Sequence, residues 1–195
     1  MTCAFLEEHG IEVTYLPVNE KGLVDPNDVR NAIKDNTFLV SVMTANSEIG
    51  TIQPIKAIGM ICANRGVPFH TDATQAFGAV EINMADDDIS LLSASGHKFG
   101  AARGIGIAVI RKSIEISPLL HGWQFGKMRG GTENVPGIVS IGKAIDILGE
   151  ARDRNYVVEK SLRDQLANDI STHISSVKLN GDFENRLPNN VNCSF

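Results

Sequence analysis

Short apolar runs alternate with helical segments along most of this chain, and this alternation restricts the fold more than any other feature. Residues 37–43 form a continuous apolar run, typical of a strand buried on both faces, and 54–66 carry apolar residues at helical spacing. Further short strands are predicted at 67–72, 89–95 and 105–110. Alternating strands and helices predict an α/β domain built on a mostly parallel sheet.

The two ends extend this pattern and suggest how the chain is divided. Before the sheet, the sequence predicts a helix, a strand and a second helix, at 2–9, 11–18 and from the Asp25 N-cap to about 34. After it come two predicted helices and two predicted strands, at 136–154, 157–174, 177–181 and 190–195. We therefore expect part of a large domain at 1–153 and the start of a smaller α+β domain at 154–195, together an internal portion of a longer protein.

Composition excludes several classes of function. The 18 basic residues are outnumbered by 23 acidic ones, for a net charge of −5, and they form no cluster that could follow a nucleic-acid backbone. No apolar run approaches the roughly 20 residues that span a bilayer. Cys3, Cys62 and Cys193 are widely spaced and odd in number, which favours reduced thiols over a disulfide or zinc site. We expect a soluble cytoplasmic protein without nucleic-acid or membrane partners.

Polar residues collect directly after two neighbouring predicted strands, at 70–75 and 93–98. In open α/β sheets, ligands bind at the carboxyl ends of the strands, so these two segments are the candidate site. Pyridoxal 5′-phosphate (PLP) requires a lysine amine, a carboxylate beside its pyridine nitrogen and donors for its phosphate. The two segments contain a candidate for each requirement, which predicts a single cofactor site between them.

Each candidate residue has a predicted role. Lys98 would carry the cofactor, and Asp72 would pair with the ring nitrogen while also capping a turn at 73–77. Gln75, one turn further on, could reach the phenolic oxygen of the ring. The phosphate would be held by a hydroxyl, a backbone segment and an imidazole, supplied by Ser95, Gly96 and His97.

These residues carry a resemblance to a known family. Asp72-Ala-Thr-Gln75 and Ser95-Gly-His-Lys98 resemble motifs of the cysteine desulfurase and selenocysteine lyase branch of the class-V aminotransferases, which are PLP enzymes of fold type I. Further matches occur in family order at 12–16, 22–26, 46–54, 104–106, 129–134 and 188–192. The resemblance implies that L-cysteine or L-selenocysteine is converted to alanine, with sulfur or selenium passed to an acceptor such as a protein of iron–sulfur cluster assembly. It also implies that Lys98 moves a proton.

The resemblance adds three residues to the candidate site. Asn46 and Ser47 occupy positions that contact the cofactor in the family, although Ser47 is shorter than the asparagine normally found there. Thr132 matches a threonine that reaches the partner's phosphate, which implies a homodimer. The family's nucleophilic cysteine and substrate-binding arginine match nothing in these 195 residues, so we expect little desulfurase turnover from the chain alone.

Two alternative functions remain open from the sequence. One is another class-V PLP enzyme, such as a kynureninase-like lyase or a serine- or alanine-glyoxylate aminotransferase. The other is a truncated, non-catalytic relative that acts as a dimerisation module. Dinucleotide binding is disfavoured because the glycines at 100–106 precede a strand instead of following one, and metal binding because His70 and Asp72 lack a third ligand.

Overall fold

The computed structural model describes residues 1–195, which form a four-stranded sheet, a two-stranded sheet and four helices. The helices are α1 Thr2–Glu8, α2 Pro26–Ala32, α3 Ile55–Asn64 and α4 Val135–His173. The strands are β1 Val40–Ser41, β2 Phe69–Asp72, β3 Leu91–Ser95, β4 Gly106–Ile110, β5 Lys178–Leu179 and β6 Cys193–Ser194. Two short 3₁₀ turns occur at Gly96–Lys98 and Phe125–Lys127.

The larger sheet has the order β1-β2-β3-β4. Strands β1, β2 and β3 are parallel, and β4 returns antiparallel to β3, with Leu91 opposite Ile110 and Ser95 opposite Gly106. The mostly parallel α/β architecture predicted from the alternation of elements is therefore confirmed. The carboxyl ends of three adjacent strands lie at the same edge of this sheet.

One face of the sheet is packed into the core. Phe69 and Thr71 of β2 are fully buried. Leu92 and Ala94 of β3 are nearly so, with at most 5% of each residue exposed. The apolar members of this set belong to one cluster with Ile58, Ile61 and Cys62 of α3 and with the first half of α4. Side chains alternate along a strand, so the intervening polar residues of β2 and β3 lie on the opposite face.

The run at 37–43 is not buried on both faces, which corrects the expectation from its apolar composition. Phe38, Leu39 and Met43 are 61%, 40% and 44% exposed, and only Val40 and Ser41 pair with another strand. The reason is that β1 lies at the edge of the sheet, with β2 as its sole neighbour. The predicted strand at 11–18 is likewise absent, since none of these residues belongs to a strand of either sheet.

Helix α4 runs unbroken for 39 residues, whereas the sequence predicted two helices with a break after residue 154. Its start follows the expected rules, because the Asn134 side chain caps Gly137 N at 3.1 Å and Pro136 occupies the first turn. The apolar periodicity lapses around residues 150–155, but no proline occurs there, and the adjacent Gly149 is helical. The predicted domain boundary at 153/154 falls within this helix and stays a prediction.

The remaining elements complete the chain. Helix α2 is capped by Asp25, whose carboxylate accepts a hydrogen bond from Asn27 N at 2.8 Å, as predicted. Strands β5 and β6 pair antiparallel in the second sheet. None of the helices is both long enough and apolar enough to cross a membrane.

Candidate functional site

The predicted site residues come from the ends of three adjacent parallel strands. Asn46 and Ser47 follow β1, Asp72 closes β2, and the turn that holds Lys98 follows β3. Backbone hydrogen bonds continue between these segments beyond the paired strands, from Thr44 N to Asp72 O and from Ala73 N to Ser93 O, both at 2.8 Å. The fold therefore brings three polar segments to the same edge of the sheet.

Asp72 ends β2 with an exposed side chain. One carboxylate oxygen accepts a hydrogen bond from Thr74 N at 2.8 Å, and the chain then makes a helical turn closed by Phe77 N and Ala73 O at 2.7 Å. The predicted capping role of Asp72 is thus present, and the second carboxylate oxygen has no partner within the chain. Gln75 lies half-buried on this turn, and its carboxamide is also free to bind a ligand.

Lys98 lies on the 3₁₀ turn that follows β3 directly. Its side chain and that of His97 are exposed, and neither makes a hydrogen bond or ion pair within the chain. The next residue, Phe99, is buried, and its ring lies 4.7 Å from the ring of Phe77. Because Phe77 belongs to the turn after Asp72, this aromatic contact fastens the Asp72 and Lys98 turns to each other.

Gly96 has a structural reason to be glycine. Its amide donates to Ile105 O at 3.0 Å, and a Cβ atom here would lie 3.0 Å from that oxygen and 3.1 Å from the Ala101 methyl group. The amide of Gly96 is therefore already engaged, so it is not an available phosphate donor. What Gly96 provides is the tight turn that presents Ser95 and His97.

A row of hydrogen-bonded side chains crosses the open face of the sheet beside Asp72. His70 Nδ1 lies 2.8 Å from Ser41 Oγ, and His70 Nε2 lies 3.1 Å from Ser93 Oγ, so the row joins β1, β2 and β3. Desolvation lowers the pKa of His70, while the nearby Asp72 carboxylate raises it to a smaller extent. A neutral imidazole has one donor and one acceptor nitrogen, so one serine hydroxyl donates to His70 and the other accepts from it.

Sequence reasoning missed this row. His70 and Ser93 lie in the polar segments at 70–75 and 93–98, but no sequence pattern pairs them, and Ser41 lies outside both segments. One signal was available, because His70 precedes Asp72 by two residues and Ser93 precedes Ser95 by two, which places each pair on one face of its strand. The strand order that makes them neighbours was not available from the sequence.

Asn46 and Ser47 lie in a tight loop, and much of their hydrogen-bonding capacity is used within it. Asn46 Oδ1 accepts hydrogen bonds from Glu48 N at 2.8 Å and Ile49 N at 3.0 Å. Ser47 has an exposed side chain, and its carbonyl accepts a hydrogen bond from Asn190. The Asn46 carboxamide nitrogen donates one hydrogen bond, to Met43 Sδ at 3.7 Å. Its second N–H and the Ser47 hydroxyl remain as groups that could face a ligand.

Thr132 is exposed in the connection between β4 and α4. No hydrogen bond joins it to any other candidate residue. Its neighbour Gly131 donates to Gln124 Oε1 at 3.2 Å, so this stretch is folded on itself. Within one chain, Thr132 is therefore separate from the group formed by the strand ends.

The chemistry of this edge follows from the groups that remain free. They are a primary amine, a carboxylate oxygen, a carboxamide, an imidazole and a hydroxyl, from Lys98, Asp72, Gln75, His97 and Ser95. No three His, Cys, Asp or Glu side chains come together in a group that could hold a metal ion. The edge is equipped to bind a small anionic molecule that reacts with an amine.

Comparison with known proteins gives matches along the whole chain. The family model for class-V aminotransferases matches residues 1–195. Cysteine desulfurase IscS of Methanosarcina thermophila is 52% identical over 196 residues, covering 100% of this chain and 48% of the relative. A solved NifS-like protein has a TM-score of 0.94 at 34% identity, covering 100% of this chain and 53% of that one.

A second solved structure is titled SspA in complex with cysteine. It matches with a TM-score of 0.84 at 36% identity, covering 100% of this chain and 54% of that one. The chain therefore spans about half the length of the relatives it matches.

Proposed function

Since the chain belongs to the class-V aminotransferase family, we propose that it forms the PLP-binding part of a cysteine desulfurase-type enzyme. Such an enzyme would take L-cysteine or L-selenocysteine to alanine and pass the sulfur or selenium to an acceptor. Similarity to IscS proteins along the full chain supports this reaction class, and a structural neighbour was solved with cysteine bound. No comparison supports a kynureninase-like or glyoxylate-dependent alternative.

The residues at the edge of the sheet fit the cofactor by their chemistry. PLP presents an aldehyde, a pyridine nitrogen, a phenolic oxygen and a phosphate. Lys98 supplies a free amine and Asp72 a free carboxylate oxygen, on two turns that follow adjacent strands. Gln75 would meet the phenolic oxygen, and Ser95 with His97 would hold the phosphate.

This proposal depends most on the contact that joins the turn after Asp72 to the turn that holds Lys98. Phe77 and Phe99 pack ring to ring at 4.7 Å, one on each turn. Adjacent parallel strands and this contact hold the Asp72 and Lys98 segments in a fixed relation, which a ligand that bridges an amine and a carboxylate requires.

When bound, PLP would act as an electron sink for the bond-breaking steps at the amino acid. Two residues of the chain, Asp72 and Lys98, would hold the cofactor and move protons during the reaction. The Asp72 carboxylate would keep a proton on the ring nitrogen, and its capping bond to Thr74 N holds that carboxylate in place. Lys98 would anchor the cofactor and, once released, carry a proton between substrate atoms from its flexible side chain.

Two partners belong to this proposal. Thr132, which is separate from the other candidates within one chain, would reach the phosphate of a second copy in a homodimer. An acceptor protein would receive the sulfur. We place the enzyme in the cytoplasm, where the three free thiols of Cys3, Cys62 and Cys193 stay reduced.

The test is uptake of PLP by the purified chain. We expect an absorbance band from lysine-bound cofactor that is absent in Lys98→Ala and present in Lys112→Ala, an exposed lysine without partners on another part of the surface. Asp72→Asn should retain the covalent link but shift the band, because the ring nitrogen loses its carboxylate partner. An unchanged band in Lys98→Ala would contradict the proposal.

A further inference from the structure

Residues 180–192 cross the loop that carries Asn46 and Ser47, and this contact has no role in the function proposed so far. We call 180–192 the clamp segment and 46–51 the cofactor loop. The clamp segment includes 188–192, one of the stretches that resemble the desulfurase family. It lies more than 125 residues further along the chain, so only the tertiary fold brings the two together.

Main-chain hydrogen bonds hold the clamp segment across the end of the cofactor loop. Ile52 N donates to Asn185 O at 2.8 Å, and Leu187 N donates to Gly50 O at 2.9 Å. Between these bonds, Thr51 forms an antiparallel bridge with Arg186. The end of the loop is thus paired like a short strand.

Two asparagine side chains of the clamp segment donate hydrogen bonds to backbone carbonyls of the cofactor loop. Asn190 Nδ2 lies 3.2 Å from Ser47 O and 3.1 Å from Glu48 O, and Asn192 Nδ2 lies 3.1 Å from Glu48 O. Gly50 accommodates this approach, because its φ is +74° and a Cβ atom there would lie 2.5 Å from Asn190 Oδ1. The loop and Asn190 therefore fit each other closely.

The clamp segment is itself rigidly anchored. Asp182 N donates to Thr51 Oγ1 at 3.0 Å, and the Asp182 carboxylate pairs with Lys21 Nζ at 3.3 Å. Arg186 is 1% exposed, and its Nε donates to Asp182 O at 3.0 Å. The donors of Asn190 and Asn192 are consequently presented to the loop from a buried, hydrogen-bonded support.

From these contacts we propose that Asn190 and Asn192 are positioning residues for the cofactor loop. By holding the carbonyls of Ser47 and Glu48, they set the direction in which the Asn46 carboxamide and the Ser47 hydroxyl face the cofactor. The inference rests on the proposed function. A loop ordered in advance binds its ligand more tightly, because the ligand does not lose affinity to loop ordering.

The test compares Asn190→Ala, Asn192→Ala and the double variant with Asn189→Ala. Asn189 is the exposed neighbour and makes no side-chain hydrogen bond, so it is a matched control. Two quantities are measured well below the unfolding temperature: amide hydrogen exchange of residues 47–50 and the dissociation constant of PLP. We expect exchange to accelerate about fivefold or more and PLP binding to weaken on the order of five- to tenfold in the double variant only.

The outcomes separate the two proposals. Exchange and PLP affinity equal to those of Asn189→Ala would overturn the clamp, and so would faster exchange with unchanged affinity, since a merely structural role predicts that result. A wild-type chain without a Lys98-dependent band would overturn the proposed function instead, and with it the cofactor part of this inference. If the double alanine variant does not fold, Asn190→Asp/Asn192→Asp retains both side-chain shapes, replaces the donors with acceptors, and is expected to give the same result as the double alanine variant.

Discussion

At the scale of single residues, the site combines exposed reactive groups with one that is held neutral. Lys98, His97 and Asp72 are exposed, whereas His70 is half-buried between two serine hydroxyls. A cationic imidazole two residues from Asp72 would compete with a protonated pyridine ring for the same carboxylate. The serine row and the desolvation of His70 together favour the neutral imidazole, which leaves Asp72 free for the cofactor.

The lowered pKa of His70 predicts a pH dependence of stability. The unfolded chain binds a proton near pH 6.5 and the folded chain only at lower pH, so the contribution of His70 is complete above about pH 6.5. This stabilisation by neutral His70 is lost as the pH falls below about 6.5 towards the lower pKa of His70 in the folded chain. We expect His70→Gln, which keeps a donor and an acceptor but cannot titrate, to show a smaller drop in melting temperature from about pH 7.5 to about pH 5.5 than the wild type.

The control for this measurement is His173→Gln. His173 is exposed at the end of α4 and hydrogen-bonds only to Asp169 O. A pH profile of His70→Gln identical to that of the wild type, or matched by His173→Gln, would contradict the prediction.

At the scale of elements, the long helix α4 connects the first sheet to the second. Its first half supplies Ile141 and Ala144 to the core beneath the main sheet. Its second half holds Arg163, which is buried and donates to Leu187 O, within the clamp segment, at 3.2 Å. A continuous helix therefore sets the distance between the two sheets, which two helices with a flexible break would not do.

Continuity of α4 can be tested with a single proline. Asn155 is exposed at the point where the sequence predicted a break, so its side chain contributes little to packing. Asn155→Pro removes a helical hydrogen bond and crowds the preceding turn, and should lower the free energy of unfolding by about 3 kcal/mol in urea denaturation. Asn155→Ala should be neutral or slightly stabilising. If the proline variant were as stable as the alanine variant, helix α4 would be interrupted at this position.

At the scale of the whole molecule, large apolar side chains remain exposed in the connection between β4 and α4. Leu119 and Trp123, in the same connection as Thr132, are 93% and 82% exposed. Exposed apolar groups of this size mark surfaces that bind other proteins. Since Thr132 is proposed to reach a second copy of the chain, we expect this connection to face the partner in the proposed homodimer.

Sedimentation of the chain over a range of concentrations tests the dimer. We expect self-association that is weakened on the order of tenfold in Leu119→Ser/Trp123→Ser, because burial of two large apolar side chains is lost. Phe38→Ser is the control, since Phe38 is 61% exposed beside the edge strand β1. Equal association of the double variant and the control would argue against this surface as the interface.

Much of the fold could be predicted because it depends on residues that are neighbours along the chain. The cap of α2 by Asp25, the strands at β2, β3 and β4, and the polar segments after them follow from local patterns. Family membership followed from motifs such as Ser95-Gly-His-Lys98 for the same reason. The boundaries of β1 and α4 were wrong where the pattern was locally ambiguous and packing decided.

By itself, the sequence determined the α/β class, the position of the polar segments at 70–75 and 93–98 at strand ends, and the family. Those properties depend on periodicity, capping and motif, all of which are local. Only the tertiary structure decided that His70 joins Ser41 and Ser93, that Phe77 packs on Phe99, and that Asn190 holds the carbonyl of Ser47. Each of these contacts joins residues distant in sequence, and its formation depends on strand order and on how the folded segments pack.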